Sequence, residues 1–280
     1  MRVGNLSDRL TLFRGDAAVD VEKASGGQFG PDPQAVYDRW TEFVAWARAN
    51  PSAGEAVPFR TEDLGAPAPR PRQVFAIGAN YRDHAEEGGV GVPDHPMVFT
   101  KWPSSFTGPV GDVVLPGDTV DWEAELVAVV GRRARDVPAS EGWAHVAGLT
   151  AGQDLSERTV QTRGEFPQMG LGKSFPGFSP SGPWLVTPDE FADPGDLELG
   201  CTVNGHRMQH ARTRDLVFPV PVLVAELSRI VTLEPGDVIF TGTPGGVGMA
   251  RRPPVYLAEG DELVTTIEGI GALRHRFVSA

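Results

Sequence analysis

The sequence predicts a β-rich α+β fold with a small N-terminal α/β appendage. Strand-length apolar runs recur along the chain and outnumber the two helix-length patterns. Gly (34) and Pro (25) punctuate those runs, which favours many turns over long helices. A charged fraction of 22 % against 40 % hydrophobic residues leaves enough apolar side chain for a sizeable core in 280 residues.

The elements follow in order. Leu10–Phe13 and Val19–Val21 read as short strands separated by a turn. Asp32 and Pro33 supply an N-cap and a first-turn proline for a helix whose apolar face is Val36, Trp40, Phe43, Val44 and Ala47. Asn50-Pro51 stops it. The Pro- and Ala-rich stretch from Gly65 to Arg72 is a linker, so the expected division is a small N-terminal domain over 1–70 and a main domain over 71–280. Val74–Ile77 is a buried strand, followed by a helical turn that carries His84 and Glu87. Gly88, Gly89, Gly91 and Pro93 then form a candidate lid, and Met97–Thr100 is a strand that delivers Lys101. The stretch Thr119–Gly131 begins polar and ends in a β-branched apolar run, the pattern of a strand entering a buried sheet. His145–Gly152 is a further apolar strand. Asp154, with Glu157 three residues on, has the spacing of a capping box, and Lys173 lies in a loop. Asn204-Gly205 between two short polar-apolar runs is a hairpin signal. Leu223, Leu227, Ile230 and Val231 mark a short helix. Val238–Phe240 is a strand running into Thr241-Gly-Thr-Pro-Gly-Gly-Val-Gly248, and residues 255–278 read as two last strands.

A net charge of −12 argues against nucleic acid or an anionic membrane surface as partner, since both need a basic patch. One cysteine, Cys201, excludes an internal disulfide. With no apolar leader or membrane-length run, the chain is expected in the cytoplasm.

Chemistry-bearing residues gather at strand ends. Glu123 and Glu125, two apart on one strand, project to the same face, where two anions require protons, a cation or a basic partner, or else water. Oxygen ligands of this kind suit magnesium, calcium or manganese. His84 and Glu87 stand at helical i, i+3 spacing, which serves either a surface contact or a carboxylate-oriented base. Asp154 can cap a helix and still offer a lone pair to a metal. Lys173 suits an oxyanion or enolate. The 241–248 loop can present N–H groups to a carboxylate, and it lacks the nucleotide P-loop pattern.

Six segments in order, Gly78–His84, Asp121–Leu126, Gln153-Asp154 with Arg158 and Gln161, Leu171–Phe175, Val203–Gly205 and Thr241–Gly248, make the chain resemble the fumarylacetoacetate hydrolase family over roughly residues 74–278. The resemblance implies a mixed β-sandwich roll and a homodimer. It implies Mg²⁺ or Mn²⁺ on Glu123, Glu125 and Asp154, a His84–Glu87 catalytic dyad on a closing segment, and Lys173 as catalytic lysine. It also implies substrate contacts from Thr243, Arg158 and Gln161. The segment Phe75–Tyr81 upstream of His84 holds no acid, where the founding enzyme has a fourth ligand, so the chain is similar to the three-carboxylate branch of acylpyruvate hydrolases, oxaloacetate decarboxylases and dienedioate isomerases. The expected activity is metal-dependent hydrolysis of a C–C bond in a 2,4-diketo acid, of acylpyruvate or diketo-deoxy sugar acid type, to give pyruvate and a carboxylic acid. His84 would activate water, and Lys173 would stabilise the pyruvate enolate. The alternatives are decarboxylation or keto–enol isomerisation of a 2-oxo diacid such as oxaloacetate or 2-hydroxyhepta-2,4-diene-1,7-dioate, and a non-catalytic binding module.

Overall fold

The computed structural model describes residues 1–279. A twelve-stranded sheet dominates it, as the β-rich α+β expectation requires. From one edge the order is Val57–Pro58, Ala17–Asp20, Arg9–Arg14, Arg2–Leu6, Ser179–Val186, Val146–Gln153, Ala124–Val130, Val238–Phe240, Val74–Gly78 and Met97–Phe99, with Leu64–Gly65 paired to Arg2–Leu6 and Phe106–Thr107 to Ser179–Val186 off this path. A second sheet of five strands has the order His206–Arg212, Glu198–Val203, Glu262–Ile267, Gly271–Ser279 and Val110–Leu115. Pairing is mixed: Val238–Phe240 runs parallel to Val74–Gly78 and antiparallel to Ala124–Val130.

The apolar run at 124–130 has no polar alternation because both of its faces are covered. Leu126, Ala128 and Val130 pack in the core that includes the Val220–Ile230 helix and strands of the second sheet. Val127 and Val129 point the other way, into a core with Trp40 and Phe43 of the Trp40–Ala49 helix. One sheet and one core therefore cross the linker at 65–72: Arg2 and Val3 pair with Val186 and Leu185, and Leu10 and Phe43 share a cluster with Phe240.

Four local expectations change. The first helix begins as a 3₁₀ turn at Ala35–Arg39 and becomes α-helical only at Trp40. Asp32 does not cap it, because its carboxylate closes a local turn on the Gln34 N–H (2.8 Å) and pairs with Arg70. The strand at 119–131 is broken into Val120–Asp121 and Ala124–Val130. At the break two side chains replace the ladder, Gln153 accepting from the Glu123 N–H and Gln209 from the Ala124 N–H, each at 2.8 Å. Glu157, not Asp154, is the cap of the Arg158–Gln161 helix, accepting from the Val160 N–H at 2.7 Å. The short helix marked by Leu223, Leu227, Ile230 and Val231 ends at an exposed Ile230, with Val231 past its end as the C-cap. The Asn204-Gly205 hairpin forms as read, with both residues at positive φ (50° and 78°) as a two-residue primed turn needs.

Candidate active site

The 124–130 strand and its neighbours end at one cavity of about 340 Å³, lined by His84, Glu123, Arg158, Gln161, Lys173 and Thr243 together with apolar side chains. Glu123, Glu125 and Asp154 lie beneath it, all buried, each with a carboxylate oxygen within 4.8 Å of the others. Glu123 sits in the strand break and Asp154 just past the end of the Val146–Gln153 strand. The Asp154 N–H donates to the Glu123 carbonyl (2.9 Å), which fixes the two segments side by side.

Two of the three acids are balanced by cations that come from far along the chain. Lys173 Nζ donates to Glu123 Oε2 (2.7 Å) and Asp154 Oδ2 (2.8 Å). Lys173 follows the short Met169–Gly172 helix, and Gly172 allows that helix to lie directly on the preceding Arg158–Gln161 helix, since a Cβ there would come within 2.6 Å of the Gln161 N. Arg158 bridges Glu123 Oε1 (2.7 Å) and Asp121 Oδ2 (2.8 and 2.9 Å), and donates to Gln161 Oε1 (2.9 Å). Burial by itself would raise the pKa of Glu123. The Lys173 and Arg158 charges outweigh it and hold the carboxyl down to about 2.

Glu125 differs. Among the described residues no cationic side chain pairs with it, and the hydrogen bond resolved to its carboxylate comes from the Gly242 N–H at 2.8 Å. Gly242 has φ of +102° and abuts Asn80, a position that suits glycine alone. Burial, then the Asp154 and Glu123 charges, push the Glu125 carboxyl well above the ordinary value. A buried carboxylate flanked by two others, in a set of oxygen donors only, fits a hard divalent cation as its missing partner.

His84 and Glu87 lie on the Arg82–Glu87 helix at the cavity wall, each about one-fifth exposed. His84 Nδ1 is 2.9 Å from Glu87 Oε1, which leaves Nε2 as the other ring nitrogen of a cavity-lining imidazole. Glu87 Oε2 accepts the Gly246 N–H (2.8 Å). Although burial opposes it, the hydrogen bonds from His84 and Gly246 hold the Glu87 carboxyl below its usual range. The Val247 N–H also donates to Glu87 (3.4 Å), and the two N–H groups after it, Gly248 and Met249, donate to Asp121 at 2.7 and 2.9 Å. The 242–249 loop thus ties the His84–Glu87 pair, Glu125 and the Asp121–Arg158 pair into one hydrogen-bonded frame. Thr243 Oγ1 is held within it, donating to the Ala124 carbonyl (3.0 Å) and accepting from Gln209 Nε2 (2.7 Å).

The fold brings all nine sequence-predicted site residues to this region, and it adds three that sequence reasoning passed over in function. Lys101 is wholly buried. Its ammonium donates to Asp154 Oδ1 (2.5 Å), to the Phe178 carbonyl (3.1 Å) and to the Lys173 carbonyl, so all three N–H groups are used. Asp121 is the acceptor for Arg158 and the loop, and Gln209 braces Thr243. The sequence signals among these were the position of Lys101 at a strand end and the place of Asp121 in the Asp121–Leu126 segment. Cys201 is buried in its strand, and burial pushes its thiol up to about 12, which suits packing and not nucleophilic attack.

The family profile for the fumarylacetoacetate (FAA) hydrolase C-terminal region matches residues 73–278. The chain belongs to the fumarylacetoacetate hydrolase family. It is 46% identical over 215 residues, 76% of this chain and 68% of the relative, to human oxaloacetate tautomerase FAHD2A, mitochondrial. It is 37% identical over 288 residues to a Dictyostelium discoideum fumarylacetoacetate hydrolase domain-containing protein 2 homolog, covering 97% and 93% of the two chains. Among solved structures it is similar to one provisionally named HpcE from Mycobacterium smegmatis (TM-score 0.95, 55% identity, all of both chains). It is also similar to maleylpyruvate hydrolase from Sphingobium sp. SYK-6 in complex with manganese(II) and pyruvate (TM-score 0.82, 29% identity, all of both chains). As a family member the chain is an enzyme, with the family's β-rich fold. The manganese of that relative and the buried triad here together point to a divalent cation. No helix among the described residues is long and apolar enough to cross a membrane.

Proposed function

We propose that this enzyme is a divalent-metal-dependent keto–enol tautomerase of a 2-oxo acid of the oxaloacetate type. The observation that carries the reading is the His84–Glu87 pair set over the same cavity as the carboxylate triad, a proton-transfer group beside a cation site. The names of the 46% identical relatives point the same way. Glu123, Glu125 and Asp154 hold the cation, Mg²⁺ or Mn²⁺, which supplies Lewis acidity toward the 2-oxo acid. With Nδ1–H donating to Glu87, His84 Nε2 takes a proton from the carbon next to the keto group. The same imidazole then returns it to the enolate oxygen, so the tautomerisation balances with no other reactant. The Lys173 ammonium adds positive charge where the enolate develops. Arg158, Gln161 and Thr243 orient the substrate carboxylates. The Gly-rich segment after Glu87 closes over the cavity.

A second reading, hydrolysis of a C–C bond in a 2,4-diketo acid, is favoured by the maleylpyruvate hydrolase relative and by the room left in the cavity. It uses the same residues, with His84 activating water. The deciding experiment follows the enol absorbance of oxaloacetate and, in parallel, pyruvate release from acylpyruvates, with Mn²⁺ or Mg²⁺ and again after chelation. Fast enol loss without acylpyruvate cleavage is expected. Cleavage outpacing tautomerisation would transfer the conclusion to the second reading. Activity indifferent to chelation would remove the metal from both.

We further propose a homodimer, for which the exposed Phe166, Leu171 and Trp102 offer apolar surface, and a sedimenting monomer would overturn it. A cytoplasmic location remains our reading of the single cysteine; the human relative is mitochondrial by name.

A further inference from the structure

The 242–249 loop reaches Glu87 through two consecutive N–H groups. Gly246 donates to Oε2 (2.8 Å) and Val247 to Oε1 (3.4 Å), the oxygen that also meets His84 Nδ1. The Val247 N–H shares its peptide with the Gly246 carbonyl. A trans peptide is planar, with its N–H and C=O directed oppositely, so whatever holds that carbonyl aims that N–H.

Two side chains hold it, and neither lines the cavity. The Trp122 indole Nε1 donates to the Gly246 carbonyl at 3.1 Å, and Arg251 Nη2 donates to it at 3.2 Å. Trp122 stands between Asp121 and Glu123 at the strand break and is wholly buried. The Arg251 guanidinium lies 5.7 Å from the centre of its ring. The same Nη2 donates to the Met208 carbonyl (3.1 Å) on the edge strand of the second sheet, His206–Arg212. Gly246 has φ of +106°, and a Cβ there would stand 2.3 Å from that Met208 oxygen. Glycine therefore lets the loop approach the strand closely enough for one nitrogen to bridge both carbonyls. The hydrogen bonds of the guanidinium go to carbonyls, and its buried Nε has no partner among the described residues. Its charge is directed at the loop. A carbonyl that accepts two donors also polarises its peptide and strengthens the N–H at the other end.

From this we infer that Arg251 is a positioning residue for the His84–Glu87 pair. With Trp122 it grips the Gly246–Val247 peptide, fixes it against the second sheet, and so turns the Gly246 and Val247 N–H groups onto the two oxygens of Glu87. Glu87 is thereby kept facing His84 Nδ1, and Nε2 is left toward the cavity. That the pair transfers a proton rests on the function proposed above; the orientation of its ring is measured separately.

The test compares Arg251→Met and Arg251→Lys with the wild-type chain, all with Mg²⁺ present. The ¹⁵N shifts of the His84 ring, taken at a pH where the imidazole is neutral and assigned by their loss in His84→Gln, report the share of the Nδ1–H tautomer. Turnover of oxaloacetate enol and of an acylpyruvate gives kcat and KM. In Arg251→Met the Nδ1–H share is expected to fall, with kcat down about tenfold to a hundredfold as the base is misaimed. KM, calorimetric Mg²⁺ affinity and the urea midpoint are expected to stay. Both hydrogen bonds come from one nitrogen, so the ammonium of Arg251→Lys can replace them and should restore most of the tautomer share and the rate. Unchanged ring shifts and kcat in Arg251→Met would overturn the positioning role. So would a joint loss of Mg²⁺ affinity and urea midpoint that lysine does not restore, since that is general loosening of the loop. Ring shifts that move in Arg251→Met while the wild-type chain turns over neither substrate would remove the proton-transfer reading and leave the positioning role standing.

Discussion

Beneath the cavity, Lys101, Glu123, Asp154, Arg158 and Lys173 are buried, and each charge has an opposite partner within 2.8 Å. At its wall, His84 and Glu87 ride on a six-residue helix, each about one-fifth exposed, in front of a glycine-rich segment. The first region consists of strand ends locked by long-range ion pairs. The second is a short helix whose acid is anchored to one loop. The contrast follows from what each is asked to do. Carboxylates that present oxygens to a cation must not move, and removing them from water requires partners on every side. A base that reaches a substrate carbon must approach it and must keep one ring nitrogen open. Ion pairs are therefore concentrated below the cavity, and the partly exposed pair that we propose moves the proton stands above it.

The largest expected effect comes from cutting into the buried region. Lys101→Met leaves Asp154 Oδ1 and two carbonyls without their donor in a dry place. It should cost about 3–5 kcal/mol of stability, read as a lower urea midpoint at unchanged m-value, and should lower activity with it. A variant of wild-type stability would erase the distinction between the two regions. His84→Gln tests the opposite side. Its catalytic rate should fall about 10²- to 10⁴-fold while the urea midpoint stays put, because the helix it sits on carries little of the core. A shift in both would mean that the pair is structural.

The smallest effect separates titration of the fold from titration of the dyad. His275, buried in the second sheet with Nε2 at 3.0 Å from the Gly108 carbonyl, has its pKa lowered by burial to about 4. In the unfolded chain it titrates near 6.5, so between about 6.5 and 4 the unfolded state binds the extra proton. The stability that depends on a neutral His275 is complete above that window and declines as pH falls through it, by about 3 kcal/mol in all. His275→Gln, whose amide can donate to the same carbonyl, should flatten that part of the profile and leave the pH–rate curve of the dyad unchanged. Glu87 adds in the same direction at lower pH. Its carboxyl is depressed in the fold, so its contribution is present above the ordinary carboxylate range and is lost only as pH drops through the lower folded value.

Much of the site was legible because strand and helix periodicity are local. The i, i+2 spacing of Glu123 and Glu125 and the i, i+3 spacing of His84 and Glu87 fix their neighbours wherever the segments lie. The apolar run after Glu125 announced a strand covered on both sides, and Asn204-Gly205 announced its hairpin, because both depend on backbone preference and nearest neighbours. The capping assignment at Asp154 failed for an instructive reason. Two acids three apart were both available to cap, and burial among Lys101 and Lys173 took one of them for the cavity, leaving Glu157 to the helix.

By itself, then, the sequence determined a β-rich chain of the fumarylacetoacetate hydrolase family, the acids that can take a cation, and the histidine with its oriented partner. Only the tertiary structure decided which cations neutralise which acids, how two glutamines stand in for a broken ladder at 122–124, and that Met97, Met169 and Met249 line one cavity. Those contacts join residues from nineteen to more than a hundred positions apart. Their selection depends on which faces two sheets bury together, and no local pattern in the chain carries that information.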